Sequence, residues 1–436
     1  MKNIAVIGST GSVGRQALQV ILRHPQRFRA VALCANRNAA LLEEQARAFA
    51  PEFAALRASD RGISVPSVRC ACGEGAFEEA CAYPAADIVL VAVTGFAGLK
   101  ATLLALAAGK DVALANKESL VVGGHLVMPF AEEKGARILP VDSEHSALWQ
   151  CLHFDRKAPF SRLLLTASGG ALRDVPLQRL PFVTAGEALA HPNWKMGAKI
   201  TVDCATMLNK GFEVMEAMHL YAAKLSQIRV LVHRESIVHS MVEFADGAVL
   251  AQMGVPSMEL PIQLAFTWPE RLSCGLPSVD FCKAGALHFE EVDKKRYPCF
   301  SLALACAEKG GIVRVRTARQ PAEPRIAQIQ SGVRRFAAAW RDSVLNGQPI
   351  PPQRAIAPFL RLVESPTALQ LDLLGDLTVE DGGTYPLAAP QHTAHYLTHP
   401  RQARRDFAEA RWKIGFLQRA VPLPLPYGKL YLKLKK

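Results

Sequence analysis

The strongest constraint on the fold of this chain lies at its beginning. A short apolar run, Asn3 to Ile7, leads into glycines at positions 8, 11 and 14, and a helical apolar pattern follows. A strand, a glycine turn and a helix in this order favour binding of a dinucleotide phosphate. The reason is that glycine lets the backbone approach pyrophosphate and the helix N-terminus offers free N–H groups. The spacing is Gly-x-x-Gly-x-x-Gly rather than Gly-x-Gly-x-x-Gly, so the pattern alone does not identify the ligand.

The end of the second predicted strand, residues 30–35, indicates which dinucleotide is bound. An acidic residue there would hold the ribose 2′-hydroxyl of NAD, but the strand is followed by Asn36, Arg37 and Asn38. A guanidinium matches a phosphate with two parallel hydrogen bonds, so Arg37 favours NADP. The alternative is a surface arginine that binds nothing.

Short apolar runs and helical segments alternate up to about residue 141, which predicts a parallel, doubly wound α/β sheet. Further strands are predicted at 87–93, 111–115 and 136–141, with a helix at 95–108. Ligands of such sheets bind beyond the carboxyl ends of the strands. Two polar groups lie at such ends, Asn116-Lys117-Glu118 and Asp142-Ser143-Glu144.

Asp142 and Glu144 form a candidate metal site. On an extended segment both side chains would project in the same direction, and two carboxylates suit a hard divalent cation. An Asp-x-Glu pair is also common on protein surfaces. A third carboxylate, Glu213, and the nearby Lys117 favour the metal interpretation.

The stretch from His191 to Tyr221 is rich in polar side chains. Its first seven residues contain a proline and a glycine and predict a loop, and a helix is predicted from about Ala205. Asn209 and Glu213 are four residues apart and share a helix face. An anionic ligand and a metal would fit there, and a capped helix with a solvated polar side is the alternative.

The middle of the chain predicts a mixed α+β domain. Residues 162–167 form a predicted strand that ends in Ser168 and two glycines, a hydroxyl and backbone amides suited to phosphate. Three more strands are predicted at 230–233, 237–244 and 249–253. The last two flank Ala245-Asp246-Gly247, which indicates a hairpin.

Charge and composition narrow the class of protein. The chain has a net charge of +12, but residues 312–436 carry 19 Lys+Arg against 9 Asp+Glu, so the basic excess belongs to the tail and no nucleic-acid partner is expected. No apolar run is long enough to span a bilayer, and no signal peptide is expected because the chain enters a strand at once. The ten cysteines lack Cys-x-x-Cys pairing, which favours a reduced, cytoplasmic bacterial protein.

Seven motifs occur together, in one order, over about residues 1–311. They are GSTGSVG, ALANKESLV, VDSEHSALWQ, LTASGG, HPNWKMGAKITVD, ATMLNKGFEVMEA and SIVHSMVEFADG. With these motifs the chain resembles the 1-deoxy-D-xylulose 5-phosphate reductoisomerase family of the non-mevalonate isoprenoid pathway.

The resemblance implies a homodimer with three domains. The expected parts are an NADPH-binding Rossmann-like domain at 1–145, a catalytic and dimerisation domain at 146–290 and a connecting segment at 291–311. The family's helical C-terminal domain would follow, but here a divergent tail stands at 312–436.

The resemblance also implies residue roles. NADPH would be bound by Thr10, Gly11, Ser12, Val13, Asn36, Arg37, Asn38, Asn116, Glu118 and Gly197. Mg²⁺ or Mn²⁺ would be bound by Asp142, Glu144 and Glu213. The sugar phosphate would be bound by Lys117, Ser143, Glu144, Ser168, His191, Cys204, Asn209, Lys210 and Glu213. Of these, Lys117, Glu144 and His191 would be catalytic, and the loop with Trp194 and Met196 would close over the ligand.

The implied reaction converts a ketose phosphate, 1-deoxy-D-xylulose 5-phosphate, into 2-C-methyl-D-erythritol 4-phosphate. The carbon skeleton would rearrange by retro-aldol cleavage and re-addition, and NADPH would reduce the resulting aldehyde. A divalent ion would act as Lewis acid and template.

Two departures from the family pattern leave alternatives open. Cys204 stands where the family usually has a serine, and from Ile312 the chain becomes rich in arginine and proline without a lasting helical period. A reading frame shifted near Ile312 and a genuine divergent tail are both compatible with this. The competing functions are an inactive paralogue that binds NADPH, and a semialdehyde dehydrogenase with Cys204 as its nucleophile.

Overall fold

In a computed structural model of the chain, the described residues are 1–58, 62–194 and 196–309, together with five short strands further on. They form two compact units, Met1–Ala305 and Cys306–Lys436. The predictions for the tail, including the expected helical C-terminal region, otherwise lie outside the described residues. Among the described helices none is both long and apolar enough to cross a membrane.

The first unit begins with a seven-stranded sheet whose strands all run parallel. They are β1 (Lys2–Ile7), β2 (Phe28–Ala35), β3 (Phe53–Leu56), β4 (Arg69–Cys72), β5 (Ile88–Val91), β6 (Asp111–Leu114) and β7 (Ile138–Pro140). Their order is β4-β3-β2-β1-β5-β6-β7, so the chain reverses direction across the sheet between β1 and β5. The doubly wound fold is confirmed, while β3 and β4 had not been predicted.

Six helices connect or follow these strands. They are α1 (Ser12–Arg23), α2 (Ala39–Phe49), α3 (Glu74–Cys81), α4 (Ala97–Ala107), α5 (Glu118–Glu133) and α6 (Ser143–Cys151). Each of the last two begins within four residues of a strand end, which brings their first turns to the carboxyl edge of the sheet.

The glycine turn lies where the sheet reverses direction, between β1 and β5. Gly8 has φ of +99°, and a Cβ there would lie 2.6 Å from the carbonyl oxygen of Ala92. A Cβ on Gly14 would overlap the Gly8 carbonyl. Glycine is therefore required for α1 to start this close to the strand ends, where dinucleotides bind in this fold.

The second sheet of the first unit is mixed. Its strands are β8 (Arg162–Ala167), β9 (Ile228–Val232), β10 (Val238–Glu243), β11 (Val249–Met253) and β12 (Glu290–Glu291), in the order β11-β10-β8-β9-β12. Only β8 and β9 are parallel within it. The predicted hairpin is present, since β10 and β11 pair in antiparallel fashion around Gly247.

The remaining helices of the described part of the chain follow β8 in sequence. They are α7 (Ala185–Leu189), α8 (Ala198–Ala205), α9 (Leu208–Leu220), α10 (Glu259–Thr267), α11 (Phe281–Ala284) and α12 (Pro298–Lys309), with 3₁₀ turns at Leu177–Phe182 and Leu225–Gln227. Beyond residue 309 the strands are β13 (Leu369–Asp372), β14 (Asp376–Val379), β15 (Pro422–Leu425), β16 (Gly428–Tyr431) and β17 (Lys433–Leu434). They pair in antiparallel fashion, as β13-β14-β17 and β15-β16.

The helix predicted from about Ala205 corresponds to α9, and the helix α8 before it had not been predicted. We expected a loop that passes into a helix near Ala205, but α8 ends there and α9 begins at Leu208. The break is at Met207, whose φ of +59° is left-handed. Gly170 comes so close to the backbone of Cys204 that a Cβ would overlap it, so the turn after β8 packs against the break.

Helix α10 follows the second sheet in sequence but packs on the first. It contacts α1, and the Lys2 ammonium donates hydrogen bonds to the carbonyls of Phe266 (2.8 Å) and Trp268 (3.1 Å) at its end. Arg23 pairs with Glu259 at its start, at 2.6 Å. The Phe266 ring lies 5.8 Å from that of Phe28. The domain boundaries at 145 and 290 stay predictions. Because α10 packs on the first sheet, the chain passes between the two sheets more than once.

Small residues set the spacing between α5 and α9. A Cβ on Gly124 of α5 would overlap the ring of His219 of α9. We therefore expect Gly124→Ala to destabilise the fold by about 1–3 kcal/mol through overpacking, read as a lower thermal midpoint. The matched control is Gly75→Ala in α3, where a Cβ meets nothing within 4 Å. That change should be neutral or stabilising, by up to about 1 kcal/mol. An unchanged midpoint for Gly124→Ala would contradict the tight packing.

Candidate active site

The three predicted metal ligands come together where α6 and α9 begin. Asp142 precedes α6, Glu144 lies in its first turn, and Glu213 lies in the second turn of α9. One oxygen atom from each carboxylate lies within 4.8 Å of the others. The extended segment predicted for Asp142 and Glu144 was wrong, because α6 starts at Ser143. The two carboxylates converge through the helix start instead.

Two buried lysines neutralise most of this charge. The Lys117 Nζ lies 2.5 Å from Oδ2 of Asp142 and 2.8 Å from Oε1 of Glu213. The Lys210 Nζ lies 2.9 Å from Oε1 of Glu144 and also pairs with Glu213. Three carboxylates and two ammonium groups leave the cluster with a net charge of −1.

The pKa shifts of Lys117 and Asp142 both favour their ionised forms. Burial acts to lower the pKa of Lys117, but Asp142 and Glu213 outweigh it and hold that pKa well above its usual value. Burial acts to raise the pKa of Asp142, but Lys117 outweighs it and the pKa is lowered. The Asp142 contribution to stability is therefore present above its unfolded pKa and lost as the pH falls through its lowered folded pKa.

The residues fit a hard divalent cation. Oδ1 of Asp142 is buried and, within the described structure, has no hydrogen-bond partner. An unsatisfied buried carboxylate oxygen is costly, and it is relieved by a ligand that accepts its lone pair. The donor set is all oxygen, which suits Mg²⁺ or Mn²⁺ rather than a thiophilic metal. Bound to such an ion, the net charge of the cluster would change from −1 to +1.

A second buried pair joins α6 and α9, the two helices that carry candidate metal ligands. Nε2 of His145 in α6 lies 3.0 Å from Oε2 of Glu216 in α9, and both side chains are almost fully buried. The Tyr221 hydroxyl donates to the carbonyl of His145. Since His145 follows Glu144 and Glu216 is one turn from Glu213, this pair fixes the distance between the carboxylates.

Ser168 and His191 meet at the end of β8. Their Oγ and Nε2 atoms lie 2.9 Å apart. The His191 Nδ1 accepts the backbone N–H groups of Asn193 (3.1 Å) and Trp194 (3.0 Å), so the proton of the neutral ring is on Nε2 and points to Ser168. Burial, with Arg173 nearby, lowers the pKa of His191.

The other predicted substrate residues lie beside the cluster. Asn209 donates to Glu213 at 2.5 Å, and the Ser143 hydroxyl donates to Glu144 at 2.6 Å. Cys204 is half-buried at the end of α8. Burial raises the pKa of its thiol to about 12, so it is protonated at neutral pH.

One cavity of about 470 Å³ brings these groups together with the glycine turn. It is lined by all nine of the predicted substrate residues and by Asp142, Trp194 and Met196, and Ser12 and Val13 of the glycine turn also reach it. A site that joins the first βα turn to the carboxylates can hold a dinucleotide and a second ligand side by side.

The predicted cofactor residues are not all free to bind. Thr10 and Gly11 lie with Ser12 and Val13 at the start of α1, and Asn36, Arg37 and Asn38 are exposed beyond β2. The Asn38 side chain caps α2 by accepting from the N–H of Leu41. Asn38 therefore has a structural role in capping α2 in addition to its predicted role in cofactor binding.

Asn116 and Glu118 belong to a network within the protein. The Asn116 amide donates to the carbonyls of Val93 (2.9 Å) and Gly95 (3.1 Å) and to Glu118 (3.0 Å), and its oxygen accepts from Ser119. Glu118 also pairs with Lys199 of α8 at 3.1 Å. Asn116 thus holds the backbone of the segment that follows β5. Gly197, also predicted to touch the cofactor, precedes α8 and is exposed.

Several polar residues that line the cavity had not been predicted to act in it, among them Asn193, His233, Ser236 and His239. Asn193 and His239 stand inside motifs already noted, so their motif membership was the only signal. His233 ended a predicted strand, and nothing in its sequence neighbourhood distinguished it from a core residue.

Removal of one ammonium tests the charge balance of the cluster. Lys117→Met leaves the buried Asp142 without a cationic partner and Glu213 with Lys210 alone, and we expect the metal-free protein to lose on the order of 3 kcal/mol of stability. Mn²⁺ should then raise the thermal midpoint more in the variant than in the unchanged protein. Lys134→Met, at an exposed lysine, is the control and should change neither value. A smaller Mn²⁺ shift in Lys117→Met would contradict a cation site at these carboxylates.

Comparisons with known proteins identify the family. Three family models match the chain: 1-deoxy-D-xylulose 5-phosphate reductoisomerase over residues 4–124, its C-terminal domain over 138–221, and a second DXP reductoisomerase C-terminal domain over 253–317. The matches end near the point where the tail begins to diverge.

Named relatives and solved structures agree with this. The chain is 50% identical over 318 residues to 1-deoxy-D-xylulose 5-phosphate reductoisomerase of Pelotomaculum thermopropionicum, covering 71% of this chain and 82% of the relative. The enzyme of Synechocystis sp. is 44% identical over 320 residues, covering 71% and 81%. A crystal structure of DOX-P reductoisomerase with NADPH, fosmidomycin and magnesium is 34% identical, with a TM-score of 0.68, and covers 83% of this chain and 89% of that one. The Zymomonas mobilis enzyme with NADPH is 36% identical, with a TM-score of 0.65, and covers 83% and 96%. The chain belongs to the 1-deoxy-D-xylulose 5-phosphate reductoisomerase family.

Proposed function

We propose that this protein converts 1-deoxy-D-xylulose 5-phosphate into 2-C-methyl-D-erythritol 4-phosphate with NADPH and Mg²⁺ or Mn²⁺. The observation that carries the proposal is the single cavity in which Asp142, Glu144 and Glu213 lie together with Ser12 of the glycine turn. The solved relatives bound to NADPH, fosmidomycin and magnesium support the same set of ligands.

The charge balance of the cluster suits an anionic substrate. A divalent ion at Asp142, Glu144 and Glu213 would supply Lewis-acid stabilisation of the oxygen atoms on the reacting carbons. Lys117 and Lys210 keep their protons, and with the ion they give the site a net positive charge. Negative charge that develops on the substrate oxygens is therefore stabilised inside a partly closed cavity, where electrostatic effects are stronger than in water.

Ser168 is arranged to donate to an anion. Its oxygen accepts from the backbone N–H of Gly170 at 3.1 Å and, in the tautomer given above, from Nε2 of His191. With both lone pairs occupied, the hydroxyl proton is free to bind a phosphate oxygen in the cavity. Lys210 and Asn209 border the same space from α9.

His191 holds groups in place in this arrangement. Both of its ring nitrogens are engaged, one with Ser168 and the other with the loop backbone. A lowered pKa keeps it neutral, so it orients the Ser168 hydroxyl without adding charge. His191 was predicted to be catalytic, and we propose that it contributes by holding Ser168 in position to bind the substrate.

The cofactor would lie along the carboxyl edge of the first sheet. Its phosphates fit the start of α1 at Gly11, Ser12 and Val13. The Gly11 N–H donates to the Gly8 carbonyl at 3.0 Å, so the N–H groups available to a phosphate are those of the first turn of α1, which begins at Ser12. Arg37 at the end of β2 is suited to the 2′-phosphate that distinguishes NADPH from NADH. When bound, the cofactor supplies a hydride to the aldehyde carbon.

The semialdehyde dehydrogenase alternative is not favoured. It requires a thiolate at Cys204, whereas burial raises the pKa of this thiol to about 12. The cluster of carboxylates at its side would repel a thiolate further.

We also propose a homodimer and a cytoplasmic location. Strand β11 is at the edge of the second sheet, and its Val249 and Leu250 are 47% and 41% exposed. An open strand edge with exposed apolar side chains favours pairing with a second copy. No disulfide joins any of the ten cysteines, all of which lie in the described part of the chain, and this fits a reducing compartment.

The first experiment follows NADPH absorbance with 1-deoxy-D-xylulose 5-phosphate and Mn²⁺, with and without EDTA. We expect NADPH consumption that EDTA abolishes and fresh Mn²⁺ restores. Asp142→Asn should reduce the rate by at least about 100-fold, because a neutral amide holds a dication poorly. Consumption that is indifferent to EDTA would refute the metal-dependent mechanism. NADPH binding without turnover would support an inactive paralogue.

Cys204→Ser tests the atypical thiol. A hydroxyl is a stronger hydrogen-bond donor than a thiol, so we expect KM for the sugar phosphate to fall by about fivefold, on the order of 1 kcal/mol. Cys282→Ser, at an exposed cysteine, is the control and should leave KM unchanged. Loss of activity in Cys204→Ser would instead identify the thiol as a nucleophile.

A further inference from the structure

We infer that Asn193 is a positioning residue that fastens the His191–Trp194 segment to the turn His233–Val238. This inference deepens the proposed function, on which it rests, because it concerns the segment that presents His191 to Ser168. Neither the family resemblance nor the charge cluster assigns Asn193 such a role.

The Asn193 side chain reaches across to the turn. Its Nδ2 donates to the carbonyl oxygen of Arg234 at 2.6 Å and contacts the Ser236 hydroxyl at 2.8 Å. A carbonyl only accepts, so the amide nitrogen must face it and the side-chain orientation is determined. The same carbonyl accepts from the Arg173 guanidinium at 3.3 Å, and Arg173 also donates to the carbonyl of Ser168 at 2.8 Å.

The Arg234 carbonyl is therefore a junction of three segments. Through Arg173 it is linked to the turn after β8, and through Asn193 to the segment that carries His191. Ser168 and His191 are hydrogen-bonded to each other as well, at 2.9 Å. The geometry of the Ser168–His191 pair thus depends on contacts made at a carbonyl that belongs to neither residue.

The turn that receives Asn193 is itself built on a buried imidazole. Nε2 of His233 accepts the backbone N–H groups of Ile237 (3.2 Å) and Val238 (3.1 Å), and its Nδ1 lies 2.9 Å from the carbonyl of His288. The ring is fully buried and stacks on Phe289 at 4.7 Å. An imidazole that replaces a backbone acceptor in this way allows Ser236 its left-handed φ of +54°.

The energetic consequence is a change in how much of the protein is ready to bind. Two hydrogen bonds from the Asn193 amide hold the segment on the turn. Without them, the segment lies on the turn in only a fraction of the molecules. The apparent affinity for the sugar phosphate then falls in proportion to that fraction. Saturating substrate still selects the docked form, so the maximal rate is largely retained.

The test is Asn193→Asp, which replaces the donating amide with an acceptor of the same shape. We expect KM for the sugar phosphate to rise by about fivefold to tenfold, with kcat changed by less than about twofold. Hydrogen exchange of the Asn193 and Trp194 amides, which bind His191, should quicken by a similar factor in the absence of any ligand. Asn3→Asp, where an amide donates to the carbonyl of Ala85 at 2.9 Å in the first sheet, is the matched control and should change neither value.

Hydrogen exchange requires no turnover, so it tests the hydrogen bonds of Asn193 to the turn even if the protein does not catalyse the proposed reaction. A rise in KM with unchanged exchange would overturn the inference and indicate that Asn193 contacts the ligand itself. Unchanged KM and exchange would overturn it as well. His233→Phe keeps the ring but removes the acceptor and should reproduce the Asn193→Asp result, whereas His233→Gln restores an acceptor and should lie closer to the unchanged protein.

Discussion

The buried charges around Glu213 are the constraint on which the rest of the catalytic region depends. Ions of both signs are taken out of water there, and each is tolerable only when its partners are in place. Lys117 comes from the end of β6, Asp142 from the end of β7 and Lys210 from α9. A displacement of any of these elements would leave an unpaired charge, so the cluster requires the first sheet, α6 and α9 to keep one arrangement.

Close packing of backbones makes that arrangement possible. Gly124 lets α9 lie against α5, and Gly211 brings α9 so near to α12 that a Cβ would overlap Ala303. Gly170 does the same for the turn after β8 and the break between α8 and α9. The buried pair of His145 and Glu216 adds a polar contact between α6 and α9. Several helices are thereby held around one anionic pocket.

The sequence predicted those parts of the fold that repeat a local rule. The glycines from Gly8 to Gly14 and the alternation of apolar runs with helical segments predicted the doubly wound sheet, because this pattern involves only residues that are close in sequence. The convergence of Asp142, Glu144 and Glu213 was also predicted, but for the wrong local reason, because Glu144 lies in the first turn of α6 and not on an extended segment. The left-handed Met207 and the return of α10 depend on contacts distant in sequence, which no local pattern reveals.

The return of α10 to the first sheet has a consequence for the architecture of the enzyme. Ile262 and Phe266 of α10 are fully buried, and Lys2 binds the end of this helix from the first strand. A fragment cut after the first sheet would lack α10 and expose the apolar surface that it covers, so it would aggregate rather than fold alone. The two sheets are also joined by more than one covalent crossing. Any rotation of one sheet relative to the other would therefore have to be accommodated at each of these crossings and not at one linker alone.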